Sequence, residues 1–467
     1  MDGAERWALR EFGGAELGDA RRTRRLVGMV AQAARKPAGR VSEVFKSPAK
    51  RQGAYDFLEH DQVSGQEILK ALGQATARRC QDLPSVYLVV DGTSLTLRES
   101  VPLQKGFGHI GTYKDGARGL KVMNTLAVSP TGVPLGVLGQ IWWARQQGPR
   151  HRTGYRPFKE RESRHWHEAV DLALDNLRDL APNTKPHVLA DREGDATAFL
   201  RKLVETNLDF TIRTNAIRKI FWKGDSHSTR DVLRKQPVLG RIWVDVDQNR
   251  HRSGRRAQLH LRAIRASVIL RDRYSKRRYR IEMTIAWARE VGSTPRGEKP
   301  LDWVLFTNQA VRTKAEAIAA VRAYCFRWRI EDFHRAWKRG HCHVEETQLR
   351  SPDAVIKWAT ILAAVASRAE HLRHRAREAP DDPAESEFSP DELDGLLFLK
   401  KKEKKRTEVV VPNPTLGQAV RWVADLGGYV GNRSSGPPGT TIIGRGLERV
   451  LMAAEIFGEL RQAGKLR

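Results

Sequence analysis

Cysteine is scarce: Cys80, Cys325 and Cys342 are the three in 467 residues, at no paired spacing, which excludes a disulfide framework and an ordinary zinc finger and fits a reducing compartment. Long apolar runs are missing as well. Without an N-terminal apolar signal core or a stretch of about 18 apolar residues, neither secretion nor membrane spanning is expected, and the expected location is the cytoplasm. Acidic residues are in short supply too, 55 against 82 lysines and arginines, for a net charge of +27. A surplus of that size, spread along the whole chain, predicts a polyanionic partner, with nucleic acid first and a ribosome-associated or merely basic protein as the competing reading. Apolar residues make up 40% of the chain, enough for real cores in about two to four domains. The segment HCHVEE (341–346) has metal-ligand residue types but reads as a loop, because its two histidines flank one cysteine and point to different sides.

Along the chain, residues 1–70 read as helices with a basic face: LGDARRTRRLVGMVAQAARK interleaves arginines with apolar residues at helical spacing, and SPAKRQGAYDFLEH follows a Ser-Pro turn. This is a candidate DNA-docking module, although by itself such a helix reads first as a solvated amphipathic one. From about residue 84 short β-rich runs take over. SVYLVVDGTSL is a near-continuous apolar strand ending at Asp91, LKVMNTLAV and VPLGVLGQIWW form a hairpin around SPTG, SRHWHEAVDLALDNLRDL is a helix, and HVLADREGD is a strand running into Asp191. Between 205 and 310, FTIRTN, RIWVDVD, AQLHLRAI, YRIEMTIAWA and LDWVLFTN alternate as an antiparallel β insertion. Helical TKAEAIAAVRAYCFRWRIEDFHRAWKRG and SPDAVIKWATILAAVASRAEHLRHRARE follow, then an acidic, proline-bearing linker, a solvated basic run at 400–406, and a small helical tail from about 409.

On one helical wheel, Tyr324, Arg327, Glu331 and Lys338 fall at roughly 0°, 300°, 340° and 320°, opposite an apolar face of Phe326, Ile330, Phe333 and Trp337. One side anchors and the other presents. Tyrosine, arginine and lysine can grip phosphate oxygens, whereas a glutamate among them would repel phosphate unless a cation lies between. Asp91 and Asp191 complete an all-oxygen set from two strands and a helix, suited to Mg²⁺ or Mn²⁺ and not to zinc. Two such ions about 3.5–4 Å apart can activate a water or a 3′-hydroxyl and stabilise the leaving oxygen. Each acid alone is compatible with a turn, a cap or a surface ion pair; the chemistry is in their combination.

These motifs resemble the DDE transposases of the bacterial insertion-sequence-four group, within it the transposon-five transposases. Tyr324, Arg327, Glu331 and Lys338 match the group's Y-x2-R-x3-E-x6-K signature, DGTSL at 91 its first acidic motif and ADREGDATAFL at 190 its second, with further matches at LGDARRTRRL, RQGAYDFL and LDWVLFTN. Met123 and Asn124 depart from a His-Ser pair expected in relatives. The resemblance implies an α/β fold with a ribonuclease-H-like catalytic core (71–375) carrying a β-strand insertion at about 209–310, flanked by a helical DNA-end-binding domain (1–70) and a helical C-terminal domain (390–467) that dimerises. It implies Asp91, Asp191 and Glu331 as catalytic ligands of two Mg²⁺ (or Mn²⁺) ions, and Tyr324, Arg327, Lys338, Trp303, Trp328 and Arg213 as DNA contacts, with Trp303 and Trp328 as stacking platforms for a flipped base.

The function so implied is cut-and-paste transposition in bacteria, on or near the nucleoid, by a homodimer in a synaptic complex with transposon-end inverted repeats and target DNA. A 3′-hydroxyl is freed, a hairpin forms and reopens, and the end joins its target. Two alternatives remain at this stage: a catalytically silent DNA-binding relative acting as a repressor, and a structure-selective nuclease.

Overall fold

The computed structural model describes residues 1–97, 106–111, 117–145, 157–214, 218–246, 253–272, 274–403, 409–431 and 436–465. Five helices open the chain: α1 (Gly3–Phe12), α2 (Ala20–Arg35), α3 (Val41–Val44), α4 (Pro48–Glu59) and α5 (Gly65–Cys80). Then come β1 (Ser85–Thr96), β2 (Gly108–His109), β3 (Arg118–Val128), β4 (Pro134–Trp143), α6 (Arg164–Leu180), β5 (Lys185–Ala190), α7 (Thr197–Glu205) and β6 (Asp209–Thr214). A β-rich stretch follows with β7 (Lys219–Trp222), β8 (Asp225–Ser228), α8 (Thr229–Arg234), β9 (Gly240–Val246), β10 (Arg255–Arg271), β11 (Arg278–Val291) and β12 (Asp302–Thr307). The chain ends in helices α9 (Lys314–Phe326), α10 (Trp328–Lys338), α11 (Pro352–Glu378), α12 (Pro390–Glu403), α13 (Leu416–Leu426) and α14 (Thr440–Gln462).

One mixed sheet runs through the molecule. Its first part has the order β4-β3-β1-β5-β6, with β3 antiparallel to β1 and β4, and with β1, β5 and β6 parallel to one another. That is the strand order of a ribonuclease-H-like fold, and α6 and α7 supply the crossovers that parallel neighbours need. Because β1 is covered on both faces, its apolar run has to feed two cores. Val89 belongs to the cluster shared with α10 and α11, while Val86, Leu88 and Val90 belong to the cluster under α6. The sheet then continues antiparallel through β12, β11 and β10, which fall between Asp191 and Glu331 in the chain. β6, the FTIRTN segment expected to open the insertion, pairs parallel with β5 on one side and antiparallel with β12 on the other. The antiparallel extension therefore begins after it.

Helices from the two chain ends share one apolar cluster, in which Ala4, Trp7 and Phe12 of α1 join Leu393, Val420 and Val450 of α12, α13 and α14. The stretch expected to be a loose linker packs as well, burying Ala384 and Phe388. Lys400, expected on a solvated basic run, is buried with Nζ 2.8 Å from Asp425 Oδ2; Lys401, Lys402 and Glu403 are exposed as expected, and residues 404–406 of the run lie outside the described residues. Lys357 on α11 is fully buried and donates to the carbonyls of Leu58 and His60 at the end of α4 (3.0 and 3.1 Å). It fastens the N-terminal helices to the core by satisfying the Leu58 carbonyl that the helix end leaves unpaired and sharing the His60 carbonyl with the Val63 N–H. Among the described residues no helix is long and apolar enough to cross a membrane.

Candidate active site

Strand parity brings the first two acids to one face. Asp91 shares the parity of Val89 and so projects toward α10, although β1 does not end there as expected but runs on to Thr96. What changes at Asp91 is burial, from a fully covered segment to a half-covered one. Asp191 comes one residue after β5, in step with Leu189 of the same cluster, and its carboxylate accepts from the Glu193 N–H (2.7 Å), capping a short 3₁₀ turn. Glu331 sits in the first turn of α10 with its side chain 42% exposed.

The signature stretch is two helices and not one. The chain turns at Arg327, where its N–H bonds to the Tyr324 carbonyl and its carbonyl accepts from Ile330, both three residues apart and not four. Tyr324, expected on the presented face, is 1% exposed, with its ring edge-on to Trp303 at 5.4 Å between centroids. Trp303 is 4% exposed, inside the cluster formed by β10, β11, β12 and α9. Arg213 reaches the same place, where it donates to the Asp302 carbonyl (3.3 Å) and hydrogen-bonds the Tyr324 phenol. Trp328, in contrast, is 42% exposed, with the Arg327 guanidinium 4.7 Å from its ring centre. Lys338 lies 3.2 Å from Thr93 Oγ1 and 3.3 Å from Glu345, so it ties α10 to β1 just beyond Asp91.

Arg327 occupies the middle of the acids. One Nη is 2.8 Å from Glu331 and the other 3.6 Å from Asp91, and its Nε and Nη1 are buried without a hydrogen-bond acceptor. Burial, then the charge of Asp191 and that of Glu331, push the Asp91 carboxyl up from 3.8 to about 7, with Arg327 opposing. The three carboxylates thus sense one another, though they are spread more widely than a closed ligand cage. An oxygen-only donor set in which burial first and mutual repulsion second push one carboxyl up fits a hard divalent cation, which would relieve that repulsion.

Among the described residues, the one trio of donor atoms within 4.8 Å is a different one, Asp332, Glu370 and His374. Arg373 Nη1 lies 3.2 Å from Asp332 and 3.6 Å from Glu370 there, and burial, then the arginines around it, hold the His374 imidazole neutral. The trio is already neutralised and is read as an ion-pair cluster. The cysteines are all free, and HCHVEE contains a short 3₁₀ turn with His341 and Cys342 buried.

Sequence reasoning marked Asn124 only as a departure from relatives, assigned it no role, and did not single out His334. Asn124 faces Asp91 directly across the β1–β3 ladder and is fully buried. It contacts His334, one helical turn beyond Glu331, at 2.9 Å. A polar residue in an otherwise apolar strand is the signal that could have given it a place behind the acids.

In the N-terminal helices, Arg21, Arg24 and Arg25 on α2 and Lys46 and Lys50 by α4 are exposed, on the other side of a helix that buries Leu26, Val27 and Val30. Residues 4–63 match the family of transposase DNA-binding domains, and residues 158–367 match the transposase DDE domain family. The second match takes in Asp191 and Glu331 but starts after Asp91, which joins them through the pairing of β1 with β5.

Proposed function

Carrying a transposase DNA-binding domain and a transposase DDE domain, the protein is a metal-dependent DNA nuclease and strand transferase, and we propose that it performs cut-and-paste transposition with Asp91, Asp191 and Glu331 as its catalytic acids. The observation that carries this reading is the arrival of all three on the α10 side of the sheet, from two adjacent parallel strands and one helix, close enough for Asp191 and Glu331 to raise the Asp91 carboxyl. Two Mg²⁺ or Mn²⁺ ions, held by these carboxylates when bound, would supply Lewis-acid activation of the attacking oxygen and stabilisation of the leaving one. What the chain itself does is hold the acids on rigid elements, keep Arg327 between them as a counter-charge, and offer Lys338 and the exposed ring of Trp328 beside them.

The division of labour follows the chain. Residues 1–70 bind the terminal inverted repeat through the exposed cations of α2 and α4, residues 71–375 cut and join, and residues 390–467 contribute to pairing two protomers on two ends. Exposed Phe398, Met452 and Ile456 on α12 and α14 support that last role. Water first releases a 3′-hydroxyl, which attacks the opposite strand to close a hairpin; a second water reopens it, and the freed 3′-hydroxyl attacks the target. Hairpin closure needs a base out of the stack, and Trp328 is half-exposed for it beside Arg327, whereas Trp303 is buried and would first have to be uncovered. Incubation with candidate terminal repeats, Mg²⁺ and target DNA, scoring nicks, hairpins and joined products, tests the proposal. Nicks without hairpins or joints would leave a structure-selective nuclease, and binding without any cut a silent relative.

A further inference from the structure

Behind the acids runs a buried chain of four polar side chains from four different elements. Thr360 of α11 donates its hydroxyl to Gln140 Oε1 (3.1 Å), Gln140 Nε2 of β4 donates to Asn124 Oδ1 (2.7 Å), and the Asn124 amide of β3 meets His334 Nε2 of α10 (2.9 Å). All four residues are buried. With the amides oriented so, Asn124 turns an N–H to His334, Nε2 accepts, and the imidazole proton sits on Nδ1. Burial, helped by Lys338 and Arg327, holds that imidazole neutral as the arrangement requires. A buried amide or imidazole left unpaired would cost more than a typical hydrogen bond gains, so the four side chains fix one another's positions.

The ends of this chain matter because of what they adjoin. Asn124 is the direct cross-strand partner of Asp91, on the same face of the sheet. His334 is three residues beyond Glu331 on the same short helix. The Asn124–His334 contact therefore joins the strand pair that carries one acid to the helix that carries another, on the side of α10 facing away from solvent. Lys338 to Thr93 is the matching tie farther along.

We propose that Asn124 and His334 are positioning residues that set the depth and rotation of α10 over β1, and through it the spacing of Asp91 and Glu331, with Gln140 and Thr360 holding Asn124 in orientation. The proposal rests on the reading that these two acids share the metal site. Removing partners that orient metal ligands typically costs about 10- to 100-fold in metal affinity or activity.

The experiment uses the full-length protein with its end DNA. For Asn124→Ala and for His334→Leu, the Mg²⁺ concentration giving half-maximal nicking at saturating DNA should rise about 10- to 100-fold. The rise in melting temperature on adding Mg²⁺ without DNA should shrink by the same criterion, while the Kd for end DNA stays within about 3-fold because phosphate contacts set it. His334→Gln, which restores an acceptor to Asn124, should recover most of the loss. If His334→Gln is as impaired as His334→Leu, or if Asn124→Ala keeps the wild-type Mg²⁺ dependence, the positioning role is overturned. Should Asn124→Ala fail to unfold cooperatively, Thr360→Val at the remote end of the chain decides: a raised Mg²⁺ requirement supports the proposal and an unchanged one removes it. Asp91→Asn separates the two levels. Loss of the Mg²⁺ response there, with a normal response in the Asn124 and His334 variants, sinks positioning alone; a normal response in Asp91→Asn sinks the site itself.

Discussion

Asp91→Asn should stabilise the metal-free protein, and should do so more at pH 8 than at pH 5. The folded structure raises this carboxyl from 3.8 to about 7 by burial and by the neighbouring charges of Asp191 and Glu331. The folded state consequently holds a proton that the unfolded chain has released. Stability from that proton is complete below pH 4 and is lost as pH climbs through 7. Each pH unit between 5 and 7 removes about 1.4 kcal/mol, so the wild type loses up to about 3 kcal/mol over that interval and up to about 4 kcal/mol in all. Asparagine carries no such proton and keeps an oxygen for the Gly92 N–H that Asp91 now accepts at 2.8 Å. The margin of the variant over the wild type should therefore grow by about 2 to 3 kcal/mol from pH 5 to pH 8, seen by calorimetry in chelator as a melting temperature several degrees higher at pH 8. Mg²⁺ should then reverse the order, raising the wild type and leaving the variant where it was. A variant less stable than wild type at pH 8, or a margin that does not change with pH, would refute the burial and carboxylate crowding that raise Asp91.

Five further outcomes are expected. Glu331→Ala should abolish Mg²⁺-dependent cutting while leaving the Kd for end DNA within about 3-fold, by gel shift and cleavage assays, since its carboxylate faces the ions and not the phosphates. Trp328→Ala should slow hairpin closure by about 10- to 100-fold, the worth of about 1–3 kcal/mol of base stacking, with first-strand nicking much less affected; Trp303→Ala should instead lower the melting temperature, because that ring is packed against Tyr324. Alanine at Arg21, Arg24 and Arg25 together should flatten the dependence of log K on log salt by about 3 at most, one for each phosphate no longer neutralised. Lys357→Met should destabilise the protein by about 1 to 3 kcal/mol in calorimetry, because it leaves the buried Leu58 carbonyl unpaired, whereas the His60 carbonyl keeps the Val63 N–H.

Much of the sheet could be read in advance. Period-two and continuous apolar runs marked β1, the β3–β4 hairpin and β5, and the acids at Asp91 and Asp191 stood out because charge interrupts strands that are otherwise buried on both faces. The helices α6 and α11 were legible for the equivalent reason, a repeat near 3.6 residues. Burial between elements was not legible. Nothing in KKKEKKR distinguishes Lys400, which finds Asp425 on another helix, and Trp303 and Tyr324 look like any exposed aromatics near a basic stretch until β12 and α9 cover them both. Such facts depend on which surfaces meet, and local periodicity contains no such information.

The signature face survives the short three-residue turn at Arg327, but it is more covered than a wheel can show. Tyr324 stays beside Arg327 and Arg213, within reach of the Asp191 charge, while its ring packs against Trp303; Glu331 stays partly exposed, and Arg327 falls between Asp91 and Glu331. Periodicity gives a residue's bearing on its own helix and not what lies over that bearing. Arg327, read as a phosphate grip, has a different task in the absence of DNA: it lends positive charge to two carboxylates that would otherwise repel each other and loosen α10 from β1. Glu331 is still open to solvent on one side, so a divalent cation can approach the acids from there, and a guanidinium that loses its carboxylates to that cation is left beside whatever phosphate the DNA brings.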